Sequence, residues 1–345
     1  MTSSPDRAVR NARQEAQDIL GAAGTARVLE PSPPTVNVEP YFADDPVALG
    51  NPSTNDGTNK PVVVPAGMTT AAEPSEVIDW NQWLAGNAEH GDWVAKHWLG
   101  GKRRLPQAPA SLVASRTALH RLGAYVIAPV RHQANGKFGL RWTKGGFGTP
   151  FFGADRQVRV EGIDLVDQRR DATRRTPITS LQDAADFLGI NIDPDTAAEH
   201  DSPPVGDPDA DLNIDVDAVA FLDGWYGMAF AALELVRVDD NSVDPSRPQI
   251  WPGHFDPAIE VGTEDTRSSY GASPGDHGSD EPYLYVSVWW PDRLDVDVDD
   301  EFWNADGFVG RLLKLSDFPA GADPVDVAAN FWRETRDRLT GQLIV

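Results

Sequence analysis

The chain has 345 residues, and its 53 Asp and Glu against 30 Lys and Arg leave a formal charge of -23. A field of that sign repels polyanions, so nucleic acid and anionic membrane surfaces are not expected partners. The chain has no Cys, which removes disulfides, thiolate nucleophiles, iron–sulfur clusters and Cys-ligated zinc.

The acid is mostly Asp, 39 against 14 Glu, and only six of the basic residues are Lys. That bias matches a GC-rich genome before it matches adaptation to salt. With 40% hydrophobic residues and 11 Trp there is material for a real core. Residues Met1 to Arg13 hold no apolar run, and no stretch reaches the roughly 18 apolar residues of a membrane span. The expectation is a soluble, cytoplasmic protein.

In chain order, residues 5–20 read as a short helix with a thin apolar face. Residues 24–74 are rich in Pro, Asn, Thr and Gly and read as an arm. Residues 1–76 are therefore set apart from one domain over 77–345, with halves at 105–190 and 214–345. Trp80, Trp83, Trp93 and Trp98 fall in helical turns and form a packing or docking surface. The spacing of Leu112, Ser115, Leu119, Leu122 and Val126 predicts a helix over 109–130, ended by Pro129 or Gly136, with Arg116 off its stripe.

An alternating strand follows at Phe138 to Thr143, then a Gly-rich link from Gly145 to Pro150. Two strands flank Glu161-Gly162 as a hairpin, and Thr179 caps a helix closed by Gly189. The basic run Arg169, Arg170, Arg174 and Arg175 is read as pairing with the chain's own acids. Residues 216–238 predict a central, mostly apolar helix. Strands are expected at 249–251, 258–261, 268–271 and 283–290, with a strand or helix start near 308–315. Asp323 and Pro324 open a terminal helix. Short turns between the strands predict an α+β fold with mainly antiparallel sheet packed on long helices.

The chemistry concentrates in three polar clusters. His254 and Asp256 come first, then Tyr270, Ser273, Asp276 and His277, then Glu281 and Tyr283. On one strand, His254 and Asp256 would share a face, which is half of a site for a divalent metal. The competing reading makes Ser-Pro-Gly-Asp a plain turn. A pocket is expected between the sheet and the long helices, lined by His254, Asp256, Tyr270, Ser273, Asp276, Glu281 and Tyr283.

The Asp run from Asp207 to Asp215 lacks the Gly and Glu of a calcium loop and reads as solvated, as does the run from Asp295 to Glu301. No serine-hydrolase, kinase or zinc-helix motif is present.

The runs His254-Phe-Asp256, Gly271-Ala-Ser-Pro-Gly-Asp276 and Glu281-Pro-Tyr-Leu-Tyr-Val286 resemble an uncharacterised family of bacterial proteins from GC-rich genomes. So do Thr117 to Arg131 and Gly139 to Pro150. The resemblance covers about residues 105 to 340 and implies one compact domain, with no activity and no catalytic residues attached. The expected function is a module binding a small molecule or a protein around His254, Asp256, Asp276 and Glu281. The alternatives are a metal-assisted enzyme with His254 and Asp256 as ligands, and a structural protein docking through its Trp-rich surface.

Overall fold

The computed structural model describes residues 105–143, 145–150, 152, 156–169, 172–195, 202–237, 239–246, 248–263, 266–293 and 300–341. The expected helix at 5–20, the arm, the four-Trp surface, Lys144, Arg170 and the acidic run 295–299 lie outside these residues.

The described chain is α+β. It holds two five-stranded antiparallel sheets, each a simple meander, with helices packed on them. The first helix runs as α1 (Leu112–Leu122), a π segment (Gly123–Ile127) and α2 (Ala128–Asn135). Pro129 does not end it. Proline has no amide to give, and its ring crowds the preceding turn. The ladder widens just before it, where Ala128 N–H reaches Gly123 O. The helix stops at Gly136, whose φ of 73° is the left-handed C-cap geometry.

The first sheet is β1 (Arg141–Thr143), β2 (Gly146–Gly148), β3 (Gln157–Glu161), β4 (Asp164–Gln168) and β5 (Thr173–Pro177). The Gly-rich run expected as a link is thus a strand, because its glycines fit where a Cβ would strike β3 backbone at Val158 and Val160. Its one large side chain, Phe147, is 1% exposed and enters the core. The β3–β4 loop is Gly162 and Ile163, one residue later than expected, since Glu161 pairs with Asp164.

The Arg run becomes β5, which propensity does not foretell. It forms because Arg174 and Arg175 lie beside acids of β3 and β4. Arg174 pairs with Asp167 at 2.7 Å, and Arg175 with Glu161 and Asp164 at 3.0 Å. Arg169 also reaches Asp167, at 3.4 Å. Helix α3 (Leu181–Leu188) follows. Its N-cap is Ser180, accepting from Asp183 N–H, while Thr179 donates to the Asp183 carboxylate.

Helix α4 (Val216–Arg237) is central. Against the expectation that no stretch reaches a membrane span, it is long and apolar enough to cross one, yet 82% of that window is buried within the fold. It serves both sheets. Asp223 accepts from Trp142 Nε1 at 2.7 Å and from Gly145 N–H at 3.0 Å. Trp225 Nε1 donates to Ala272 O at 3.1 Å, and Tyr226 Oη to Phe255 O at 2.8 Å.

The second sheet is β6 (Gln249–Trp251), β7 (Asp256–Val261), β8 (Ser268–Ser273), β9 (Tyr283–Val288) and β10 (Gly310–Lys314). Helix α5 (Pro324–Thr340) closes it, with Asp323 accepting from Val325 N–H as N-cap and Pro324 in the first turn. Each half is therefore a long helix, a five-stranded meander and a second helix. The sheets meet at one isolated bridge, where Leu140 and Ile250 exchange hydrogen bonds of 2.9 and 2.7 Å.

Strand alternation sets the second sheet's two faces. Ile259, Val261, Tyr270, Ala272, Leu284 and Val286 are buried in the core. The other face carries Gln249, Trp251, Asp256, Glu260, Ser269, Tyr283, Tyr285 and Ser287, which line a cleft.

Candidate functional site

The cleft encloses about 1510 Å³ between that open face, the Val113–His120 side of α1, residues 135–139 and Pro203-Pro204. It lies on the face turned away from α4. The pocket expected between sheet and long helices is absent among the described residues, because large apolar side chains fill that space.

His254 and Asp256 do not share a strand. Trp251 pairs with Asp256, and the four residues between them form the β6–β7 turn. His254 is exposed in that turn, while Asp256 opens β7 and is 4% exposed. Phe255, between them, takes a φ of 59°, which costs a bulky residue on the order of 1–3 kcal/mol. Its ring is held against this strain by three others. His120 stacks on it at 5.1 Å and 7°, and Phe147 and Tyr226 meet it edge-on at 4.9 and 5.6 Å. The turn is therefore clamped into the core, and it holds Asp256 at the cleft.

Asp256 is the least satisfied acid of the site. Its Oδ2 accepts from the Tyr285 hydroxyl, but its Oδ1 is shut off from solvent with no hydrogen-bond partner. Burial raises the Asp256 pKa, with His254, the Tyr285 hydroxyl and its own amide working the other way. The Tyr285 ring reaches Asp256 from β9 by lying across Gly271 of β8, where a Cβ would collide with it.

The other predicted residues have structural partners. Asp276 Oδ1 accepts from Gly278 and Ser279 N–H at 2.7 and 2.9 Å, and its Oδ2 from Tyr283 Oη at 2.6 Å. Burial pushes the Asp276 pKa up, but those bonds outweigh it, and the group ends below the usual carboxylate value. Burial and the bond to Asp276 raise the Tyr283 hydroxyl. Ser273 Oγ accepts from Gly275 N–H at 3.2 Å, so the Ser-Pro-Gly-Asp run is the turn its composition describes. Glu281 caps a distant backbone group, accepting from Ser316 N–H at 2.6 Å. Tyr270 lies on the core face, 2% exposed, near Arg336 and Asp337.

The cleft thus brings together His254, Asp256, Ser273, Asp276 and Tyr283. Tyr270 belongs to the opposite face, and Glu281 to the β10 side. Among the described residues, no three His, Asp or Glu side chains are grouped so as to hold a metal ion.

Several lining residues were not named as site residues from the sequence, among them Trp251, Tyr285, Ser287, Arg116 and His120. Tyr285 and Ser287 continue the period of two from Tyr283 and were legible in it. Arg116, read as off the apolar stripe, is 6% exposed and donates to the carbonyls of Pro274, Asp276 and Asp280 at 3.2, 3.2 and 3.4 Å. Burial lowers its pKa, and Asp276 partly restores it. No local signal marks it, since its partners lie more than 150 residues away. His120 bonds Pro252 O through Nε2 at 2.7 Å, and burial lowers its pKa to about 4, so the ring is neutral with Nε2 protonated.

No family model, curated protein or solved structure matches the chain.

Proposed function

We propose that the protein is a binding module whose ligand sits in the cleft on the open face of the second sheet, with Asp256 as its polar anchor. One observation carries this reading. A carboxylate oxygen is held at the cleft, buried and without a donor, and an unmet acceptor of that kind costs about 1–3 kcal/mol unless a partner supplies the bond. Half-buried aromatic rings beside it, Trp251, Tyr283 and Tyr285, give a small molecule apolar contact area. The protein is read as soluble and cytoplasmic, with a small molecule as its partner; the net charge of -23 bears only on solubility and on repulsion of polyanions. A metal-assisted reaction at His254 and Asp256 lacks a third protein ligand among the described residues, and the binding reading is preferred for that reason.

Ligand-observed NMR screening of a fragment set containing anionic, neutral and cationic members tests it. The full chain is compared with Asp256→Ala, which removes the anchor without touching the core face. Hits on the wild type that vanish in the variant are expected. A wild type without hits, or hits that persist in Asp256→Ala, overturns the reading.

A further inference from the structure

Arg116 and Lys137 also line the cleft, but Arg116 is committed to loop carbonyls and neither pairs with Asp256. The cleft's other carboxylates are provided for. Glu260 pairs with Arg267 at 3.1 Å, Asp276 is saturated by two amides and Tyr283, and Asp280 is exposed to solvent. Asp256 has no Lys or Arg pair among the described residues; its one side-chain bond comes from a neutral hydroxyl. His254 acts on it through charge alone.

Two aromatic side chains flank the carboxylate. Trp251 is its cross-strand partner, which puts their Cβ atoms about 5 Å apart on the same face. The Tyr285 ring comes from the other side, across Gly271. A cation between aromatic faces is attracted by the ring quadrupoles alone. A planar cation that also carries N–H donors would complete the unmet oxygen at the same time.

We infer that the cleft recognises a donor-bearing organic cation, an alkylguanidinium above all, which bonds Asp256 and stacks between Trp251 and Tyr285. The inference rests on the cleft being a binding site, and it adds the ligand's class. The guanidinium supplies both the missing donor to Oδ1 and the missing positive charge. A neutral sugar or amide supplies only the first. A quaternary ammonium supplies only the second. Tyr285 is the side chain that shifts to admit it: its ring rests on bare backbone at Gly271, and its ties are the hydroxyl bond to Asp256 and the tilted Tyr283 ring at 6.2 Å.

Calorimetric titration of the full chain with ethylguanidinium and with its neutral isostere ethylurea separates the possibilities. The wild type is expected to bind ethylguanidinium at least 10-fold tighter than ethylurea. Asp256→Asn, which keeps the shape and the acceptor for Tyr285, should erase that preference. Trp251→Leu keeps the carboxylate and should weaken the cation several-fold, which guards against a misfolded Asp256 variant. Equal binding of both probes, lost in Asp256→Ala, overturns the cation class while leaving the cleft intact as a binding site. Binding of neither probe, or saturable binding of Mg²⁺ or Mn²⁺ in place of ethylguanidinium, also overturns it.

Discussion

His120 shows how one side chain couples the cleft to pH. Its imidazole is stacked on Phe255 and bonded to Pro252 O, and burial holds its pKa at about 4 against an ordinary 6.5. A group depressed in the folded state stabilises the fold above its unfolded pKa, and that stability is lost as pH falls through the folded one. The window is therefore pH 6.5 down to about 4. The loss across it is up to about 3 kcal/mol at roughly 1.4 kcal/mol per unit. Asp256 acts with the opposite sign. Its raised pKa makes its contribution fullest below the ordinary carboxylate value and reduces it as pH rises. Urea unfolding of wild type and His120→Gln at pH 7 and pH 4.5 checks this. The wild type should lose more stability on acidification than the variant, and equal losses would refute the assignment. In the sequence His120 is only a polar residue beside an apolar stripe. Its neutral state is set by Phe255 and Pro252, more than 130 residues away.

Arg116 acts at the scale of elements. It joins α1 to the β8–β9 loop by donating to three loop carbonyls, and Gly275, at a φ of 96°, leaves room for its guanidinium. A charged donor buried against carbonyls is costly to remove, because the acceptors stay buried without replacements. Arg116→Met should destabilise the chain by about 2–4 kcal/mol. Amide exchange should also quicken selectively at 275–281, ahead of the β8 core. Uniform quickening along the chain would mean that Arg116 is a general packing residue and not the loop's tether. The outer edge of the sheet is managed in another way. The Asn304 side chain bonds both the N–H and the C=O of Leu312 on β10, at 2.7 and 3.1 Å, so the edge offers fewer open groups there to a second strand.

For the whole molecule the question is whether two similar halves behave as two units. Each has its own five-stranded meander. Yet α4 bonds Trp142 and Gly145 on one side and Ala272 and Phe255 on the other, and Phe147 of the first half packs on Phe255 of the second. The core is one continuous cluster through both. With the interior shared, neither half can open without exposing the other's apolar surface. Differential scanning calorimetry of the chain should show a single transition for the described body, with calorimetric and van't Hoff enthalpies in agreement. Two separated transitions would show that the halves are independent.

The α+β class, the long helices with their Asp323 cap and Gly136 and Gly189 stops, and most strands of the second sheet follow from the sequence alone. They rest on local periodicity and on capping chemistry, which act within a few residues. β5 was not legible in that way, because a run of arginines becomes a strand only when acids of β3 and β4 lie opposite it. Strand β2 was hidden for a related reason, since glycine advertises a turn until a neighbouring backbone requires its missing Cβ. The sequence singled out the stretch from His254 to Tyr283 as the place of chemistry. Only the tertiary structure decided which acid matters. Asp276 and Glu281 have donors to satisfy them. Asp256 is left with an unmet oxygen, because a strained turn, a bare glycine and a distant tyrosine bury it without a counter-charge.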